Sequence, residues 1–120
     1  MRIVMTIHPN KAIRTFTCDE IITKERFGGI CGDEPKEGKI KELFDSIGNT
    51  NLVKEVSLDR YEVRVEIVEA FEDSKDDWDR IADAAKAAIV QFFDLPDNED
   101  VSFRVKDDRA KYARSRSDDY

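Results

Sequence analysis

The sequence predicts an α+β fold, a two-layer sandwich in which an antiparallel sheet carries two helices on one face. Three observations predict it. Residues 61–67 alternate Tyr61, Val63, Val65 and Ile67 with Glu62, Arg64 and Glu66, the period-two pattern of a half-buried strand. Two segments, one before and one after that strand, instead place apolar residues at helical spacing. The order of segments reads β-β-α-β-β-α, with a final edge strand after the second helix.

The chain opens on a strand over residues 2–7, with Ile3, Met5 and Ile7 on one face and Val4 and Thr6 on the other. His8, Pro9, Asn10 and Lys11 supply turn chemistry. Residues 12–18 form the second arm of this hairpin, and Ile21 and Ile22 extend it. Residues 27–38 hold four of the five glycines and read as a mobile loop. Ile40, Leu43, Phe44 and Ile47 fall at i, i+3, i+4 and i+7, one apolar stripe of a helix over 39–47, and Gly48 stops it.

The central hairpin covers residues 52–68. Its first arm is less regular: Leu52, Val56 and Leu58 share a face and Lys54 interrupts them. Asp59 and Arg60 sit at the tip. This pair is not the Asn-Gly or Asp-Gly of a tight two-residue turn, so a longer loop or a bulge is expected. Ser74 then caps the second helix, with Asp76, Asp77 and Asp79 favouring the positive end of its dipole. Trp78, Ile81, Ala82, Ala85, Ile89, Phe92 and Phe93 keep helical spacing until Leu95 and Pro96 end it. Phe44, Val56, Val63, Val65, Trp78, Ile81, Ile89 and Phe92 are expected to share one core. Residues 101–105 are the final edge strand. Residues 1–105 thus make one domain, and 106–120 a charged C-terminal tail.

With 120 residues, 40% hydrophobic and 39% charged, a single core with a densely charged exterior is expected. The formal charge of −7 argues against nucleic acid and anionic membrane surfaces as partners. No run approaches the ~20 apolar residues of a membrane span. The first ten residues lack the apolar core of a secretory signal, which makes the cytoplasm the expected compartment. Two cysteines, Cys18 and Cys31, fit a reducing compartment without a disulfide framework.

Several motifs in order resemble the N-terminal domain of Nfu/NifU-type iron–sulfur cluster scaffold proteins. His8, Pro9 and Asn10 followed by Phe16 resemble that family's Thr-Pro-Asn turn and the phenylalanine after it. Leu43, Phe44 and Ile47 resemble its Leu-Phe-x-x-Ile helix, although Glu37, Gly38, Lys39 and Ile40 stand where the family has Ser-Pro-Leu-Ala. Val53, Lys54 and Val56 are similar to its Val-Lys-x-Val strand, and Val63 and Val65 to the Ile-x-Val that follows. Asp77 and Trp78, with Ile81, Ile89, Phe92 and Phe93, are similar to its closing helix. The likeness spans residues 6–95. It implies a fold and a pathway, iron–sulfur cluster assembly. In that family the cluster is held by a C-terminal Cys-x-x-Cys domain. No such motif occurs in these 120 residues, so the resemblance transfers no cluster ligand and no catalytic residue.

The chemistry-bearing residues are sparse. Cys18 and Cys31 are separated by twelve residues with no second cysteine pair, whereas iron–sulfur and zinc sites commonly take four ligands in close-spaced pairs. With His8, the only histidine, they are the candidate metal ligands, and Cys31 with His8 is the candidate nucleophile and base. Against this stands the plainer reading: a strand cysteine, a loop cysteine and a turn histidine with no shared role. No phosphate loop and no nucleophile elbow is present. The run Glu69, Glu72, Asp73, Asp76, Asp77 and Asp79 lacks the central glycine of a calcium loop and reads as a solvated helix start. Lys106, Arg109, Lys111, Arg114 and Arg116 are diluted by aspartates and read as a charged tail.

The expectation is therefore a non-enzymatic binding or adaptor module without cofactor or metal, acting on a protein partner of iron–sulfur assembly. Phe27, Ile30 and Cys31 are the candidate partner-binding residues, because a glycine-rich insertion on a rigid scaffold suits docking; the competing structural role for Phe27 is to plug the core edge. The contrasting function is a small thiol-dependent enzyme or metal carrier using Cys31 and Cys18.

Overall fold

A computed structural model describes residues 1–28, 33–96 and 100–108. Among these residues, six strands and two helices follow one another as β1 (Arg2–Ile7), β2 (Ile13–Cys18), β3 (Thr23–Gly28), α1 (Gly38–Gly48), β4 (Val53–Arg60), β5 (Glu62–Ile67), α2 (Lys75–Phe92) and β6 (Ser102–Asp107). A short 3-10 turn, Glu69–Phe71, links β5 to α2. The strands form one sheet in the order β3-β4-β5-β2-β1-β6, with every pair antiparallel except β1 and β6, which run parallel. The architecture is the α+β two-layer sandwich expected, with a mostly rather than wholly antiparallel sheet.

Register explains the core. Paired residues share a sheet face, and Met5, Phe16, Val63, Leu58 and Phe27 form one continuous row across five strands. Ile7, Arg14, Val65 and Val56 form the next. Both rows face the helices, where Leu43 and Ile47 of α1 and Trp78, Ile81, Ala85 and Ile89 of α2 complete a single cluster. Small residues on α2 let it approach the sheet closely, and Phe16, Trp78, Ile81 and Ile89 are wholly enclosed. Burying each such side chain contributes about 1.5–3 kcal/mol. Among the described residues, α1 and α2 both lie on that one face. The cross-strand rows of the other face are polar, Thr6–Thr15–Arg64–Ser57 and Val4–Thr17–Glu62–Asp59.

The structure departs from the sequence expectations at several points. Ile21 and Ile22 do not extend β2. The chain turns at Asp19 and Glu20, and β3 crosses to the far edge to pair with β4. β3 carries Lys24, Glu25 and Arg26 in succession, all exposed, so no alternation marks it. The central hairpin turns tightly after all: Asp59 pairs with Glu62, leaving Arg60 and Tyr61 at the tip, with Arg60 at φ +52°. Tyr61 is thereby 45% exposed rather than part of the apolar face. The irregularity lies at the other end of the arm. Val53 pairs with Ile67 and Glu55 with Glu66, so Lys54, which breaks the apolar pattern, is the bulged residue. Lys54 turns its ammonium to Glu66, 3.2 Å away.

Gly48 is the last helical residue of α1, and Asn49 caps it in an ordinary right-handed conformation. Ser74 caps α2 as expected, its Oγ accepting from the Asp77 N–H at 3.4 Å. Phe44 and Phe92 are only half-buried at the border of the core they were expected to fill. The final strand runs to Asp107, so Lys106 and Asp107 belong to the sheet and not to a tail. Arg109, Lys111, Arg114 and Arg116 lie outside the described residues. Among the described residues, no helix is long and apolar enough to cross a membrane.

Candidate functional site

The insertion singled out in the sequence divides in two. Phe27 is the last-but-one residue of β3, pairs with Leu58 and packs on the core half-buried, which is the plug role. Ile30 and Cys31 lie outside the described residues. Where the description resumes, Asp33 forms a parallel bridge to Phe27, and its carbonyl accepts the Gly28 N–H at 3.0 Å. Gly28 itself cannot be replaced without movement. It sits at φ +76°, and a Cβ there would lie 2.1 Å from the Val56 carbonyl oxygen.

Gly28 also begins the wall of an open cleft of about 470 Å³. The last turn of α1 supplies Phe44, Asp45 and Gly48, and the bulged start of β4 supplies Val53, Lys54, Glu55 and Val56. Asn49 and Glu34 complete it. Its size falls in the range of ligand pockets, roughly 300–1,000 Å³. Phe44, Val53 and Val56 are the apolar residues of its lining, Glu34, Asp45 and Glu55 the acidic ones, and Lys54 the basic one. Lys41 lies four residues before Asp45 on α1, and its hydrogen bond with that carboxylate holds the ammonium above its ordinary pKa. The bulge at Lys54 is what shapes this end of β4, since an extra residue bends the strand locally. The carboxylates come from a loop, a helix and a strand, and no motif or period in the sequence links them.

The candidate ligands His8 and Cys18 are not brought together. Cys18 pairs with Ile3 and faces the helices, 4% exposed. Burial pushes its thiol up to about 12, and the negative charges of Asp19 and Glu20 add to the effect, so it keeps its proton at neutral pH. His8 lies beyond the opposite end of β1, and its Nε2 shares a hydrogen bond with Thr15 Oγ1, 3.1 Å away, on the face turned away from α1 and α2. Among the described residues no three His, Cys, Asp or Glu side chains are grouped to hold a metal ion. The acidic run surrounds the start of α2 as a solvated face, where Asp73 pairs with Lys11 and Asp79 with Lys75.

Arg14 is the polar residue that sequence reading passed over. It points toward the helices from the central strand β2, with its guanidinium 4.5 Å from the Trp78 ring centre. Its signal was a charge at a position where the strand pattern called for an apolar side chain.

No family model, curated protein or solved structure matches the chain.

Proposed function

We propose that this chain is a non-enzymatic protein-binding module, an accessory or interaction domain of iron–sulfur cluster assembly that presents the cleft between α1, β3 and β4 to a partner. The observation that carries the binding reading is the cleft itself, lined by the apolar Phe44, Val53 and Val56 together with the acidic Glu34, Asp45 and Glu55. This favours a partner that inserts an apolar side chain flanked by basic residues. The burial of Cys18, on the face opposite His8, supports a structural role for that thiol. The pathway rests on the order of motifs between residues 6 and 95 alone.

The test is direct. The full chain is titrated against a panel of purified cluster-assembly proteins, beside a Glu34→Lys, Glu55→Lys variant. Binding that the variant loses supports the proposal. The chain is also purified anaerobically and assayed for iron and sulfide. Stoichiometric iron and sulfide that vanish in a Cys18→Ala, Cys31→Ala variant would overturn the adaptor reading in favour of a metal carrier.

A further inference from the structure

Every buried apolar residue described belongs to the core cluster except Ile13. Ile13 is 9% exposed, yet it lies on the sheet face turned away from α1 and α2. Thr15, two residues further along the same face, is buried as well, and its hydroxyl shares the hydrogen bond with His8.

Register places Ile13 in the outermost row of that face. It pairs with Glu66 of β5, and Glu66 pairs with Glu55 of β4. Extending the ladders of β1 one residue past Ile7 adds His8 and Asp108 to the row. The description of the chain therefore stops, at Asp108, at one end of the row that contains Ile13. The other end is acidic. Glu66 and Glu55 face each other, and like charges directly opposite are destabilising. Among the described residues, Lys54, 3.2 Å from Glu66, is the cation that meets this pair. Of the other bases on this face, Lys106 lies 3.8 Å from Asp108, Arg64 stands one row in, and Arg2 and Arg104 lie toward the far end of their strands.

Residues 109–120 continue from Asp108. They carry Arg109, Lys111, Arg114 and Arg116 ahead of Asp118 and Asp119, with Ala110, Tyr112 and Ala113 among the bases. From β6 to β5 is three strand spacings, about 14 Å. A segment of this length covers about 18 Å even at the short rise of a helix. We propose that this C-terminal segment lies across the outer row, with Tyr112 over Ile13 and the basic side chains meeting Glu66 and Glu55. The segment matches the row in both respects. An aromatic ring shields the one buried apolar side chain outside the core. Positive charge relieves two facing carboxylates through charge-assisted hydrogen bonds. An acidic chain thereby folds a basic stretch against its own surface.

The full chain carrying Cys31→Ser and Ser115→Cys is spin-labelled at the new cysteine, Cys18 being buried, and its isoleucine methyl groups are observed by NMR. The Ile13 methyl signal should be lost, while those of Ile47 and Ile89, enclosed on the opposite side of the sheet, persist. Adding Arg109→Glu, Lys111→Glu and Arg114→Glu should return the Ile13 signal, with far-UV circular dichroism unchanged. Ile13 keeping its signal in the first variant overturns the proposal. So does an equal loss at all three isoleucines, or a loss that survives the charge reversal. A loss that also occurs when spin label and isotope are on different molecules overturns it as well, since the contact then lies between chains. No residue of the cleft is altered in these variants, so the outcome is read independently of partner binding there.

Discussion

The guanidinium of Arg14 lies 4.5 Å from the ring centre of Trp78, joining the central strand β2 to the helix α2 inside the apolar layer. The indole is held at its edge as well, its Nε1–H donating to the Glu72 carbonyl at 3.1 Å. A cation over an aromatic face away from bulk water is worth up to about 2 kcal/mol. Arg14→Met, which keeps the length of the side chain, should therefore destabilise by about 0.5–2 kcal/mol in urea unfolding. Trp78→Ala should cost about 3–5 kcal/mol. A double-mutant cycle of Arg14→Met with Trp78→Leu, which removes the aromatic face, should return a coupling of about 0.5–2 kcal/mol, and a coupling of zero would show that the stack contributes nothing.

Burial differs along α2, and truncation should follow it. Ile89 is wholly enclosed and Phe92 half-buried at the end of the helix, against Phe93 in an edge-on pair at 4.9 Å. Ile89→Ala should cost about 2–5 kcal/mol, and Phe92→Ala should fall below the ~3–5 kcal/mol of a fully buried phenylalanine. A Phe92→Ala loss within the full ~3–5 kcal/mol range would contradict its half-buried place at the end of the helix.

Gly28 tests the junction of core and cleft. A methyl group there meets the Val56 carbonyl, and the positive φ adds strain. Gly28→Ala should destabilise by about 1–3 kcal/mol. Because β3 is an edge strand, hydrogen exchange should quicken in β3 and β4 before it does in β2, β5 or β1.

Cys18 makes stability depend on alkaline pH. Its folded-state pKa is raised to about 12 from an ordinary 9.0, so the unfolded chain loses the thiol proton first. Its contribution is fully present below pH 9 and is lost as pH rises from there toward 12. Stability measured against pH should therefore fall more steeply over that window in the native sequence than in Cys18→Ala. Its reaction with a thiol reagent at neutral pH should be slow until the protein unfolds.

Local chemistry determined most of the elements. Alternation in residues 61–67 identified β5, helical spacing from Ile40 to Ile47 and from Trp78 to Ile89 identified both helices, and Ser74 marked the start of α2, because each signal is completed within one or two turns or a few residues of strand. With strands and helices alternating in that order, the two-layer arrangement followed from the need to bury one face of each. The tertiary structure alone decided what depends on partners far along the chain. β3 carries no alternation, and only its hydrogen bonds to β4 make Thr23–Gly28 a strand. The parallel pairing of β6 with β1 unites the two ends of the described chain, which no local pattern encodes. The same holds for the cleft: Glu34, Asp45 and Glu55 belong to three separate segments, and only the packing of α1 over the bulge at Lys54 brings them to one surface.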